Sequence, residues 1–259
     1  MTELNGTPVT SEDLQALALI NYGHFTSMRV HGQRIRGFSH HLDRLVRDCQ
    51  RLFDVSLDRE RVREFVRRAV RGESGAFVVR VTVFDPALDL GHPGSSAEPS
   101  ILVTTRPAMS WPPAPIRVQT VCYRRDLPEV KHVGLLGSVW HRRQAQMQGY
   151  DDTLFVDNAS FVSEGATWNI GFFDGERVIW PDAEVLPGVT MRLLNQVYDN
   201  AITAPVNIRD VPAMHAAFAT NTTIGVRPIS TIDRVRLVDD HPIFETLRKE
   251  YEEIPPEQL

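Results

Sequence analysis

The sequence predicts an α+β protein built as two lobes, and three observations lead there. The chain has 259 residues, 42% of them hydrophobic and 24% charged, which is an ordinary globular composition. At roughly 100–150 residues per domain, that length fills two cores better than one. Helical spacing and β-branched alternation both occur along it. Four prolines between Arg106 and Pro115 prevent regular structure and favour an extended connector. The expected organisation is a small α/β lobe over residues 1–107, a linker over 108–115 and a larger lobe over 116–259.

Taken in order, the elements follow from local pattern. An extended run from Tyr22 to Val30 turns Phe25, Ser27 and Arg29 to one side by strand alternation. Leu42, Leu45, Cys49 and Phe53 repeat at helical spacing, as do Val62, Phe65, Val66 and Val70, predicting two amphipathic helices. Asp43 with Arg47 and Glu64 with Arg68 are spaced to pair along their outer faces. Runs 76–84 and 100–105 read as paired strands joined by a loop over 85–99. Beyond the linker the pattern predicts a strand over 116–123, a helix over 137–148 ending at Gly149, and strands over 152–156, 168–173 and 177–179. Asp174-Gly175 makes a hairpin turn between the last two. A helix over 189–200 is entered through Leu186-Pro187-Gly188. Strands over 206–208 and 216–219 and a helix over 242–251 complete the chain.

Composition excludes several roles. A net charge of −5 and a pI near 6.0 do not suit binding of nucleic acid through bulk charge, which calls for a strongly basic domain. Cys49 and Cys122 form neither a disulfide framework nor a metal spacing, so a reducing, cytoplasmic location is expected. The first twenty residues lack a basic leader, and the apolar stretch Ala16–Ile20 is too short for a bilayer, so no membrane association is expected. No metal site is expected either, since His40 and His41 diverge on a helix and no HExxH set occurs. Nucleophile-elbow, P-loop and dinucleotide-binding glycine patterns are likewise missing.

Arginine keeps its proton near neutral pH, whereas a lysine amine can lose it and attack an aldehyde. Of 28 basic residues, only Lys131 and Lys249 are lysine and 26 are arginine, so the amine candidates are two. Lys249 sits in a charged stretch that solvation explains. Lys131 lies among apolar neighbours and leads into a helix; on its own it is either an amine with a chemical task or an ordinary, partly buried lysine.

Lys131 also heads an ordered series of motifs: EVKHVGLL at 129–136, GYDDTLFVDNASFVSEGATWNIGFF at 149–173, LPGVT at 186–190 and FATNTTIGVRPI at 218–229. With these motifs the chain resembles the class IV, fold-type IV, pyridoxal phosphate enzymes: branched-chain and D-amino acid aminotransferases and aminodeoxychorismate lyase. The resemblance implies the two-domain fold of that group and a homodimer. It implies pyridoxal 5′-phosphate as cofactor, held by Lys131 as an internal aldimine. It further implies a small-molecule amino donor and a keto acid acceptor, with Lys131 carrying the proton between substrate and cofactor.

Other site residues are carried over motif by motif. Glu164 matches the carboxylate that faces the pyridine nitrogen and keeps the ring electron-withdrawing; a turn carboxylate before Gly165 is its bland alternative. Gly188 lets the chain turn into a helix whose first amides, at Val189 and Thr190, point toward an anion, although capping alone would also account for LPGVT. Thr222 and Thr223 match a second phosphate-binding turn, and Arg44 the phosphate arginine of the first helix. Phe25 and Arg29 lie on the strand that lines the substrate pocket in the family. Arg80 matches an active-site arginine able to grip a carboxylate; for both arginines a structural or interface salt bridge is the alternative.

The chain also departs from the pattern. Thr26 stands where many relatives have glutamate, Gly134 where asparagine is frequent, Met191 where arginine usually follows the turn, and Gly225 where an acidic residue is usual. Leu136 replaces the tyrosine of the branched-chain group with the leucine of the D-amino acid enzymes and the lyase. An aminotransferase is the primary expectation, a lyase of the aminodeoxychorismate type the alternative. An interaction protein that has lost its cofactor is the third reading, opposed by the intact Lys131, Glu164 and LPGVT set.

Overall fold

The computed structural model describes residues 2–72, 75–109 and 111–259. Met1, Glu73 and Ser74 of the expected first lobe, and Ser110 of the linker, lie outside them. Two compact units divide the chain. One comprises Met1–Met109, Val130–Gly134 and Pro255–Leu259, the other Ser110–Glu129 and Leu135–Ile254. Lys131 therefore belongs to the first unit, although the linear reading puts it with the later lobe. The reason is local: Phe25 N donates to Lys131 O at 2.9 Å and Val133 N to Gly23 O at 2.9 Å.

The first unit is a seven-stranded antiparallel sheet. Its strands run Glu257–Gln258, Arg34–Ile35, His24–His31, Ala76–Phe84, Ser100–Pro107, Thr2–Leu4 and Thr7–Pro8. Helices Phe38–Phe53 and Arg59–Ala69 form where the apolar spacing predicts. The second is capped by Asp58, whose side chain accepts from the Glu60 and Arg61 amides. Met28, Val30, Val79, Val81, Val83, Ile101 and Val103 of the sheet meet Leu42, Leu45, Cys49, Val62 and Val66 of the helices. Outer charges pair differently from the spacing rule. Arg59 reaches back to Asp43 at 2.7 Å, Arg47 turns to Asp48 at 2.6 Å, and Arg68 meets Glu3 at 3.3 Å. Residues Pro255–Leu259 add an edge strand and bury Leu259 in the same core.

The second unit is a mixed nine-stranded sheet. From Ala201–Ala204 it runs through Val178–Pro181, Asn169–Phe173, Ala216–Asn221, Gly225–Ile232, Ile116–Cys122 and Asp152–Val156 to Val162–Gly165, with Val235–Arg236 beside Gly225–Ile232. The Asn169–Glu164 pairing returns the last of these strands to Asn169–Phe173, closing part of the sheet on itself. Ile116, Val118, Leu154, Ile170, Phe172, Ala217 and Ala219 fill one core. Helices Val189–Val197 and Ile243–Glu253 cover a second, around Trp180, Phe218 and Val226.

Sequence pattern missed three features here. The expected strand over 206–208 gives way to a 3-10 helix, Ile208–Ala213, because Asn207 and Asp210 cap its start reciprocally. The helix from Val189 stops at Val197, where Tyr198 turns extended and feeds the strand Ala201–Ala204. Val162–Gly165 and Gly225–Ile232 are strands despite their glycines and Pro228. Among the described residues, no helix is long and apolar enough to cross a membrane.

Replacing Leu259 by Ala should lower the unfolding free energy by about 2–3 kcal/mol, the usual cost of emptying a buried leucine site. A urea titration reads this as a lower midpoint at unchanged slope; an unmoved midpoint would show that the segment adds nothing to the core.

Candidate functional site

In the first unit, pairing fixes which side chains meet. Lys131 is held at both backbone groups: its N–H donates to Asp48 Oδ2 at 3.0 Å, and its carbonyl accepts from Phe25. Its Nζ lies 4.9 Å from the centre of the Phe25 ring, and Arg80 Cζ lies 3.6 Å from the same centre, both cations drawn to the aromatic face. Ser27 registers with Arg80, so Arg80 shares a sheet face with Phe25, Ser27 and Arg29. Arg29 Nη1 donates to Met109 O at 3.3 Å, and Arg80 Nε to Thr82 Oγ1 at 3.2 Å. Burial, with Arg106 adding repulsion, lowers the proton affinity of the Arg80 guanidinium.

Arg44 lies on the opposite, helix-covered side. Thr26, one residue beyond Phe25, turns that way, and Arg44 Nη2 donates to its hydroxyl at 2.5 Å. His41 Nδ1 is 2.7 Å from Thr26 Oγ1 and 3.3 Å from Arg44 Nη2. Thr26 and His41 are completely buried and Arg44 nearly so. Burial first, then Arg44, Lys131 and His40, hold His41 well below the ordinary imidazole range. His24, also buried, is pushed down to about 3 by desolvation, then by Arg44 and Arg47. Two neutral imidazoles thus surround a buried guanidinium.

In the second unit, Glu164, Asn169 and Thr220 register in one row across three strands, so they share a face. Glu164 is buried; its Oε1 accepts from Arg125 Nη1 at 3.1 Å and its Oε2 from the Leu186 amide at 3.2 Å. Asn169 Nδ2 donates to Leu186 O at 2.8 Å. These two bonds seat the turn leading to helix Val189–Val197. Gly188, the residue at the helix start, abuts Asn169 so closely that any Cβ would collide with Asn169 Oδ1. No side chain caps the helix, leaving its first amides open. Val189 and Thr190 are buried there, and the Thr190 and Thr220 hydroxyls have no protein partner. Thr222 and Thr223 form the turn after Ala216–Asn221, where Asn221 Oδ1 accepts from Thr223 N at 2.9 Å, Thr223 Oγ1 at 2.8 Å and Ile224 N at 3.0 Å. Trp168 packs beneath Gly165 and donates to Asp152 Oδ2 at 2.9 Å.

The structure thus groups Phe25, Arg29, Arg80, Lys131 and Arg44 around one strand of the first unit. It groups Glu164, Val189 and Thr190 around one turn of the second, with Thr222 and Thr223 in their own turn. Sequence reasoning passed over Asp48, Arg125, Asn169 and Thr220. Arg125 was hidden among many arginines; Asn169 follows Trp168 directly, and only the strand register reveals what it faces.

Comparison with known proteins adds the lineage. A family model described as Amino-transferase class IV matches residues 23–232. The chain is 26% identical to a Methanocaldococcus jannaschii protein named "Putative branched-chain-amino-acid aminotransferase", across 95% of this chain and 92% of that protein. Its fold superimposes on the branched-chain aminotransferase of Thermoproteus uzoniensis crystallised with norvaline, at a TM-score of 0.86 and 21% identity, covering 97% and 93% of the two chains. A Legionella pneumophila protein named "Putative 4-amino-4-deoxychorismate lyase" has the same fold, with a TM-score of 0.82, 21% identity and 96% of each chain covered.

Acid should reveal the buried imidazoles. An unfolded histidine takes up its proton near pH 6.5 and His24 only at about 3, so stability is complete above pH 6.5 and drains away as pH falls toward 3. The slope is about 1.4 kcal/mol per pH unit for each such group. His24→Leu should remove one share, so that urea unfolding at pH 7.5 and 5 shows a loss about 2 kcal/mol smaller than in the parent; equal losses would refute the buried neutral state.

Proposed function

The chain belongs to the class IV aminotransferase family and is an enzyme of amino-group transfer; we propose that it uses pyridoxal 5′-phosphate, with Lys131 as the amine that carries it. The observation that supports this most is the uncapped start of helix Val189–Val197, where the buried Thr190 hydroxyl has no protein partner. A buried hydroxyl left unpaired costs about 1–3 kcal/mol, and an anion at a helix start would accept from it and from the open amides. These residues fit a phosphate group.

In this reading Val189, Thr190, Thr222, Thr223 and Arg44 hold the phosphate. The cofactor, when bound, supplies an aldehyde for the amine and a ring that draws electrons from the substrate α-carbon. Glu164 offers a carboxylate to the ring nitrogen, and Arg125 with the Leu186 amide keeps that carboxylate in place. Lys131 would move a proton at its Nζ between the substrate α-carbon and the cofactor, in one direction in the first half-reaction and in the other in the second. Arg80 and Arg29 bind the substrate carboxylate, a guanidinium fork matching it in two hydrogen bonds, while Phe25 supplies an apolar wall. The amino donor is an amino acid or amine and the acceptor a 2-keto acid. The names of the relatives make leucine, isoleucine and valine the first donors to test. We further propose a cytoplasmic homodimer; Leu136, Val139, Trp140 and Met147, exposed on helix Leu136–Met147, offer an apolar stripe for association.

Pyridoxal phosphate followed by borohydride should label the peptide of Lys131 and leave that of Lys249 unlabelled; label on Lys249 alone would sink the assignment. Lys131→Ala should lose turnover by at least about a thousandfold, as expected when a nucleophile is removed. Thr190→Val should weaken phosphate or cofactor binding roughly tenfold while leaving the unliganded fold equally stable or more so, since the hydroxyl it removes has no partner. An amino group that leaves the donor without arriving on the keto acid would favour the lyase.

A further inference from the structure

Asp48 is an acidic side chain that no motif of the sequence singles out. It lies on the inner face of helix Phe38–Phe53, with no exposed surface. A carboxylate so placed is costly unless charge and hydrogen bonds compensate it. Arg47 bends back to do so, its Nε and Nη2 donating to Oδ1 at 3.0 and 2.6 Å, while its own side chain stays 39% exposed. The second oxygen, Oδ2, takes the Lys131 amide at 3.0 Å. The Lys131 carbonyl is taken by Phe25, so two elements distant in sequence fix the lysine from both sides. A carboxylate acceptor makes that bond stronger than a neutral one would be, and it places a negative charge against the Lys131 backbone. The other charged or titratable groups of this neighbourhood are His40, His41, Arg44 and Arg47 on the helix, His24 on its strand, Arg80 on the next strand, and His132 beside Lys131.

We propose that Asp48 is a positioning residue for Lys131: its carboxylate anchors the lysine backbone and offsets the surrounding positive charge at the amine. The inference rests on the reading of Lys131 as the reacting amine. Removing the Asp48 charge makes the field of the neighbouring arginines more positive at the amine, which disfavours the ammonium; removing Arg47 makes it less positive, which favours it.

The test uses the scarcity of lysine. Cofactor-free protein is treated with trinitrobenzenesulfonate across a pH series, and modification of the Lys131 and Lys249 peptides is followed by mass spectrometry. In Asp48→Asn, which keeps an acceptor oxygen, the midpoint for Lys131 should move to lower pH. In Arg47→Met, a change at a half-exposed side chain, it should move to higher pH. Lys249, 77% exposed, should not move in either. In the cofactor-loaded enzyme, Asp48→Ala should lower kcat about ten- to hundredfold with KM within about threefold, as for a misplaced reacting group. Lys131 midpoints equal to the parent in both charge variants, with only the melting temperature lowered, would reduce Asp48 to a structural residue and overturn the proposal. Failure of the borohydride label at Lys131 would instead overturn the cofactor assignment, and the midpoint shifts would still report on Asp48.

Discussion

The first unit depends on the hydrogen bond from the Phe25 amide to the Lys131 carbonyl, 2.9 Å long. It ties a segment from the middle of the chain to the edge of a strand near its start, and with the Val133 amide donating to the Gly23 carbonyl it makes the His24–His132 bridge. Strand alternation then separates two chemistries. Phe25 turns its ring to Lys131 and Arg80; Thr26 turns its hydroxyl to Arg44 on the covered face. Slipping the pairing by one residue would exchange these faces and leave Arg44 with a phenyl ring for a neighbour. Register, set by main-chain bonds, therefore decides which side chains can act together.

Polar groups in the two cores follow opposite rules. Most buried ones are matched: Trp168 by Asp152, Glu164 by Arg125, Asn169 by Leu186. Some are not, among them both ring nitrogens of His24 and the hydroxyls of Thr190 and Thr220. His24 stays neutral among arginines and tolerates its position on that account. Thr190 stands at the proposed phosphate site, where incomplete pairing in the free protein leaves binding free energy to be gained; Thr220 shares the sheet face of Glu164 and Asn169.

Much of the fold was legible because its signals are local. The two helices of the first unit, the paired strands 76–84 and 100–105, and the Asp174-Gly175 hairpin all appear where spacing and turn chemistry put them. Lys131 stood out because the chain almost never uses lysine. Other features depend on distant partners. Asp48 meets Lys131 across 83 residues and Arg125 meets Glu164 across 39; neither pair has a spacing rule. The expected strand at 206–208 failed for a different reason. Its β-branched residues flank Asn207, and a side chain that caps a helical turn outweighs a weak strand preference.

The return of Pro255–Leu259 to the first unit has a bearing on how the protein is made. Chain growth is directional, at about 5–20 residues per second. The sheet of the first unit gains its Lys131 segment only after the polypeptide has left that unit, and Leu259 reaches its place later still. For about 10–30 s at those rates, the nascent sheet has a bare edge at Arg34–Ile35 and a gap in its core. During that interval the unpaired edge is a template on which another chain can add a strand.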